Sequence, residues 1–144
     1  MIKSPKIYFY DTGLACSLLQ IQSSAQLQSH YLRGGLFENF IINETKKYYY
    51  NKGIKPQLYF WQSKEKKEID LLLDKGDVLY PFEVKSAKTR NQSLLANLKY
   101  WDKLNNTMPE FLNLIYGGDE DFKTGSANFV SWRNINTLLD KIEG

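Results

Sequence analysis

Residues 68–86, EIDLLLDKGDVLYPFEVKS, read as two strands joined by a tight turn, with Asp70, Glu83 and Lys85 set among apolar neighbours. A buried, unpaired carboxylate is expensive unless a cation or hydrogen bonds compensate it, so these charges need an explanation. Side chains alternate along a strand: Glu83 and Lys85 point one way, Phe82 and Val84 the other. On the preceding strand the same rule groups Asp70 with Glu68 and Leu72, opposite Ile69, Leu71 and Leu73. Antiparallel pairing of the two strands then brings Asp70 close to Glu83, and like charges at that range raise a carboxylate pKa. A divalent cation held through carboxylate oxygens, Mg²⁺ or Mn²⁺, removes the repulsion. Lys85 adds a positive charge to the same small volume.

Working outward, QLYFWQ before this stretch completes a three-stranded antiparallel meander, with Ser63–Lys67 and Lys75-Gly76-Asp77 as its links. Upstream, RGGLFENFIINETKKYYYNKG is the strongest helix signal in the chain. Leu36, Phe37, Phe40, Ile41 and Tyr48 share one side, and Asn51-Lys52-Gly53 closes it. Downstream, SLLANLKYWDKLN places Leu94, Leu95, Leu98 and Trp101 on one helical face. EFLNLIYG reads as a strand, ANFVSW as another and NINTLLDKI as a closing helix. At the start, KIYFY reads as a short strand and DTGLACSLLQI as a helix capped by Asp11 or Thr12, while QSSAQLQSH reads as loop or weak helix. The class is therefore α/β, with a mixed central sheet and the core order α-β-β-β-α-β. The expected organisation is one domain over 1–144: a strand-and-helix extension at 1–22, a core at 34–116, and a terminal strand and helix at 128–142.

E-x-K occurs three times in the chain, so the spacing alone signals nothing. Glu44-Thr45-Lys46 falls on a polar helix side and Glu65-Lys66-Lys67 in a charged link, where both read as solvated surface. Only Glu83-Val84-Lys85 lies in an apolar strand. Glu38 is a fourth candidate, about 60° outside the Phe37/Ile41 edge of the long helix at roughly 100° per residue. From there it can lean over the sheet toward Asp70 and Glu83. Alone, it would read as a first-turn acid favouring the helix dipole.

Other features carry less. GGDEDFKTG has the spacing of a phosphate-binding loop, but Phe122 stands where a glycine must let the backbone wrap phosphates, and it reads as a surface turn. His30 reads as a loop residue. Tyr48-Tyr49-Tyr50 reads as a helix end packed on the sheet rather than a base-stacking platform. Lys99 and Lys103 read as solvated, and Asn91 or Ser93 as a helix cap.

A helix Glu, a strand Asp and E-x-K on the next strand, in this element order, resemble the PD-(D/E)XK nuclease superfamily with its restriction-endonuclease-like core. The resemblance implies that Asp70 and Glu83 bind Mg²⁺ or Mn²⁺, that Glu38 assists the metal, and that Lys85 orients or activates the attacking water. Ile69 replaces the proline that precedes the Asp in many members. KSPKIYFYDTGLACSLL, GGLFENFIINE, LYFWQSKEKKEIDLLL and PFEVKS together are similar to the uncharacterised C-terminal domain of a bacterial and archaeal AAA-type ATPase family. That resemblance implies an ATPase domain ahead of this one in the full-length protein, with this chain beginning partway through it at KSPK. DNA and a second copy of the chain are the other partners implied.

The totals set the outer limits. The chain has 144 residues, a formal charge of +3, 42% hydrophobic and 24% charged residues, the profile of an ordinary globular domain. Its mild basicity permits nucleic-acid contact without arguing for it. One cysteine, Cys16, and one histidine, His30, exclude a disulfide within the chain and zinc sites built from Cys and His. No apolar run approaches the roughly 20 residues of a membrane span, and MIKSPKIYFY has no signal-peptide core, so the expected compartment is the cytoplasm. The reading is a metal-dependent nuclease domain acting on DNA. Its alternative is a catalytically silent module of the same fold that serves nucleic-acid binding, regulation or oligomerisation of the ATPase.

Overall fold

A computed structural model describes residues 6–144. Two short helices, α1 (Thr12–Leu18) and α2 (Ser24–Ser29), lead into the long helix α3 (Arg33–Asn51). The meander follows as β1 (Gln57–Gln62), β2 (Glu68–Asp74) and β3 (Leu79–Lys85). A 3-10 turn at Gln92–Leu95 then opens α4 (Ala96–Asn105). The chain ends with β4 (Asn113–Tyr116), β5 (Phe122–Lys123), β6 (Asn128–Ser131) and α5 (Ile135–Glu143).

The six strands among the described residues form one sheet in the order β1-β2-β3-β4-β6-β5. β1, β2 and β3 pair antiparallel, whereas β3–β4 and β4–β6 are parallel. A parallel neighbour requires a crossover, and the segment carrying α4 provides the one from β3 to β4.

The sheet is covered on both faces. Ile41, Tyr49, Leu71, Leu73, Phe82, Val84, Ile115, Val130 and Leu139 form the core between the sheet and α3/α5. Ile69, Leu72, Leu95, Leu98, Trp101, Leu114 and Phe129 form the core under α4. Leu95 and Leu98 are wholly buried, each contributing about 1.5–3 kcal/mol relative to exposure. The expected α4 stripe is thus the buried one, and Asn91 caps its entry by accepting the Ser93 N–H at 2.9 Å.

Local chemistry accounts for the ends of the elements. Asp11 caps α1 by accepting the Leu14 N–H at 3.1 Å. Gly53, at φ 69°, ends α3 in the left-handed region that disfavours a side chain. Gly76, at φ 85°, serves the β2–β3 turn in the same way. Tyr48 and Tyr49 pack edge to face, and their hydroxyls donate to Asp140 and Glu143 of α5. Tyr48 and Tyr49 are a packed helix end, as expected, whereas Tyr50 is exposed.

Four expectations are corrected or decided. KIYFY, Lys6–Tyr10, forms no strand; the KSP before it lies outside the described residues. Side-chain amides of α3 hold it instead: Phe9 N–H donates to Asn39 Oδ1 at 2.7 Å, and Asn39 and Asn43 donate back to the Phe9 carbonyl. Second, the alternative of loop or weak helix at residues 24–29 is decided for helix, because Ser23 accepts the Gln26 N–H and starts a turn. Third, the turn before ANFVSW contains the two-residue strand β5, antiparallel to β6, where Phe122 stacks on Phe129 with ring centroids 4.4 Å apart.

The fourth correction bears on the site. Tyr59 lies opposite Leu72 but Trp61 lies opposite Ile69, so β2 carries one residue more than β1 across that interval. This is a β-bulge, which breaks alternation and re-aims a side chain. Ile69 therefore joins Leu72 under α4, while Leu71 and Leu73 face α3. The bulge falls on Asp70-Leu71.

Candidate active site

Regular β2–β3 pairing ends at Leu71 opposite Phe82. Just beyond it the Val84 N–H donates to Asp70 Oδ2 at 2.8 Å. A side-chain oxygen on the bulged strand thus satisfies a main-chain donor of β3. Asp70 is buried at 7% exposure and Glu83 is fully buried at 0%.

Glu83 Oε1 accepts from Asn97 Nδ2 of α4 at 2.9 Å and pairs with the Lys85 ammonium. Its second oxygen, Oε2, is buried with no hydrogen-bond partner. The Lys85 ammonium also lies 3.8 Å from Asp70 Oδ2. Three of the expected residues, Asp70, Glu83 and Lys85, therefore meet.

Glu38 joins them through a residue that sequence reasoning passed over. Lys6 Nζ stands 3.1 Å from Glu38 Oε1, 3.5 Å from Glu68 Oε2 and 3.6 Å from Asp70 Oδ1. It also sits 4.3 Å from the centre of the Phe60 ring. Tyr8 donates its hydroxyl to Glu38 Oε1 at 2.7 Å. The charges alternate in space: Glu38 and Glu68, then Lys6, then Asp70, then Lys85, then Glu83. Among these groups four carboxylates face two ammonium groups.

The electrostatics follow from that order. Burial, reinforced by the charge of Asp70, pushes Glu83 up to about 7, against the opposing pull of Lys85 and Asn97. Burial and the charge of Glu38 also raise Asp70, while Lys85, the Val84 N–H and Lys6 counter them. Burial works against the charge on Lys85, but Glu83 and Asp70 outweigh it and hold its pKa above the ordinary value. Lys6 is raised too, since Glu38, Asp70 and Glu68 outweigh its desolvation.

Signals for the missed residues were present. In an extended segment Lys6 and Tyr8 share one side, opposite Ile7 and Phe9. Asn97 lies about 40° from Trp101 and about 60° from Leu94 around α4 at roughly 100° per residue, a polar group inside the apolar stripe that needs a partner. The decoys stay away from the cluster: His30 accepts the Leu32 N–H on its own loop, and Glu44 pairs with Lys47 on the surface.

Among the described residues, no three His, Cys, Asp or Glu side chains gather as a metal-binding group. The two ammonium groups stand between the carboxylates. No helix in the described residues is long and apolar enough to cross a membrane.

Fold and site together define a mixed α/β domain with a buried carboxylate–lysine centre. Residues 33–135 match the family described as Domain of unknown function (DUF4143). The chain belongs to that family, a domain found in AAA-ATPase-associated proteins. It is 32% identical over 88 residues to an uncharacterised protein of Mycobacterium tuberculosis and to one of Mycobacterium bovis. Each match covers 60% of this chain and 19% of the relative, so the chain spans about a fifth of the length of these relatives. No solved structure gives a significant match.

Proposed function

We propose that this domain is a metal-dependent nuclease of the PD-(D/E)XK type, hydrolysing phosphodiester bonds of DNA in a protein that also carries an AAA-type ATPase. The carrying observation is the convergence of Asp70 with the Glu83–Lys85 pair beside the buried, unpartnered Glu83 Oε2. The core order α3-β1-β2-β3-α4-β4 and the change from antiparallel to parallel pairing at β3 agree with that fold.

The donor chemistry fits a hard divalent cation: carboxylate oxygens only, an excess of negative charge, and one orphaned buried oxygen. Asp70 and Glu83 would hold Mg²⁺ or Mn²⁺ with Glu38 assisting. Such an ion supplies Lewis-acid polarisation of the phosphate and a more acidic water. Lys85, fixed on β3, orients the attacking water and stabilises the charge that develops on the phosphate oxygens. Asn97 holds Glu83 in place. Against Ser86, which follows β3, a cleft of about 380 Å³ is lined by Arg33, Lys88 and Arg133 around Phe37, Phe40 and Trp132. Cations over aromatic walls suit a phosphate backbone with a base stacked beneath it.

The test is incubation of the protein with single- and double-stranded DNA in Mg²⁺ or Mn²⁺, beside Lys85→Ala. Metal-dependent cleavage lost in the variant supports the reading; equal traces in both refute it. A second reading, a silent nuclease-fold module that binds nucleic acid, is favoured by the lysines standing between the carboxylates. DNA binding without cleavage selects it.

A further inference from the structure

The segment Lys6–Tyr10 belongs to no sheet, yet it is held at two points. Asn39 and Asn43 clamp the backbone of Phe9 and Tyr10. Ahead of that clamp, among the described residues, side chains fasten it: Tyr8 packs on the core and donates to Glu38, and Lys6 pairs with Glu38, Glu68 and Asp70. Lys85 differs, because the β3–β4 ladder fixes its backbone.

We propose that Lys6 is a built-in competitor for the divalent cation of this site, so that metal binding and withdrawal of Lys6 form a single equilibrium. The proposal rests on the metal-site reading above. The Lys6 ammonium stands between Glu38 and Asp70 at 3.1 and 3.6 Å. Mg²⁺ must approach carboxylate oxygens to about 2.0–2.1 Å, and no such ion can share Glu38 and Asp70 with an ammonium in contact with both. Lys6 has an exit: its side chain retains 27% exposure, and its flexible stem can carry the charge into water. Release opens the volume between Glu38 and Asp70 while the Asn39/Asn43 clamp keeps the segment attached. The same pairing relieves the repulsion expected between the carboxylates when no metal is bound.

The experiment compares Mn²⁺ binding, by calorimetric titration, in the wild-type chain, Lys6→Met and Lys6→Gln. Methionine keeps an unbranched stem over Phe60 without the charge. Glutamine retains a donor for Glu38 and serves if the methionine variant fails to fold. Both variants are expected to bind Mn²⁺ about tenfold more tightly, a difference of about 1.4 kcal/mol. In the wild type, Mn²⁺ is expected to speed tryptic cleavage after Lys6 while cuts at exposed Lys66 keep their rate. Equal affinity in wild type and variants, with Mn²⁺ bound by all, overturns the competition and leaves the metal site standing. Weaker binding by the variants overturns it too, making Lys6 a positioning residue. No binding by any folded form, the variants included, refutes the metal-site reading and the competition with it.

Discussion

Glu83→Gln should make the protein more stable at pH 8 while leaving it almost unchanged at pH 5. Glu83 is fully buried, and its pKa moves from an ordinary 4.5 to about 7 because burial and the neighbouring Asp70 charge penalise the carboxylate. A raised carboxylate pKa means that the folded chain binds its proton more tightly than the unfolded chain. Stability is then greatest below pH 4.5, falls as pH rises toward 7, and levels off above it. At about 1.36 kcal/mol per unit, the ionised side chain costs about 3 kcal/mol at pH 8. Glutamine resembles the protonated acid in size and removes that slope. For a chain of this size the gain corresponds to a rise in Tm of roughly 6–12 °C at pH 8. Asp70, raised by burial and by Glu38, adds a slope of the same sign that the variant retains. Lys6 and Lys85, both raised above 10.5, contribute no slope in this range. Urea denaturation of both proteins from pH 5 to 8.5 is the assay. A difference that does not change with pH would refute the reasoning, since it would mean Glu83 ionises in the fold as easily as in the unfolded chain.

Mg²⁺ or Mn²⁺ at millimolar concentration should raise the Tm of the wild type, by a margin reduced by the cost of displacing Lys6, and Asp70→Asn should abolish the rise; an unchanged wild-type Tm would favour the silent-module reading. Lys85→Ala should eliminate cleavage while preserving or strengthening metal affinity, because it removes a positive charge beside Asp70 and Glu83; calorimetry and a gel assay separate the two. Asn97→Ala strips Glu83 Oε1 of its 2.9 Å donor and should destabilise the fold by about 1–3 kcal/mol, with the larger loss at pH 8, which urea titration at two pH values measures. Leu98→Ala, at a position with 0% exposure under the sheet, should cost about 2–5 kcal/mol without altering metal affinity.

The parts of this protein legible in its sequence are those set by local periodicity. The stripe on α4, the turn at Gly76, the meander and the common face of Glu83 and Lys85 all follow from repeats of about 3.6 or 2 residues, and the fold keeps them. That periodicity also placed Glu38 at a helix rim facing the site. Tertiary structure decided what depended on distant partners. The bulge at Asp70 arises from the pairing of β1 with β2, and no alternation rule within β2 can show which residue is the extra one. The segment at Lys6–Tyr10 has strand composition but bonds to side-chain amides about 30 residues away, so it never joins the sheet. Lys6 reaches Glu38 across 32 positions of sequence, and Asn97 reaches Glu83 across 14. Which carboxylate acquires which cation is settled only when those strands, helix and segment close on one another, because charge pairing depends on distance in space and the sequence records distance along the chain.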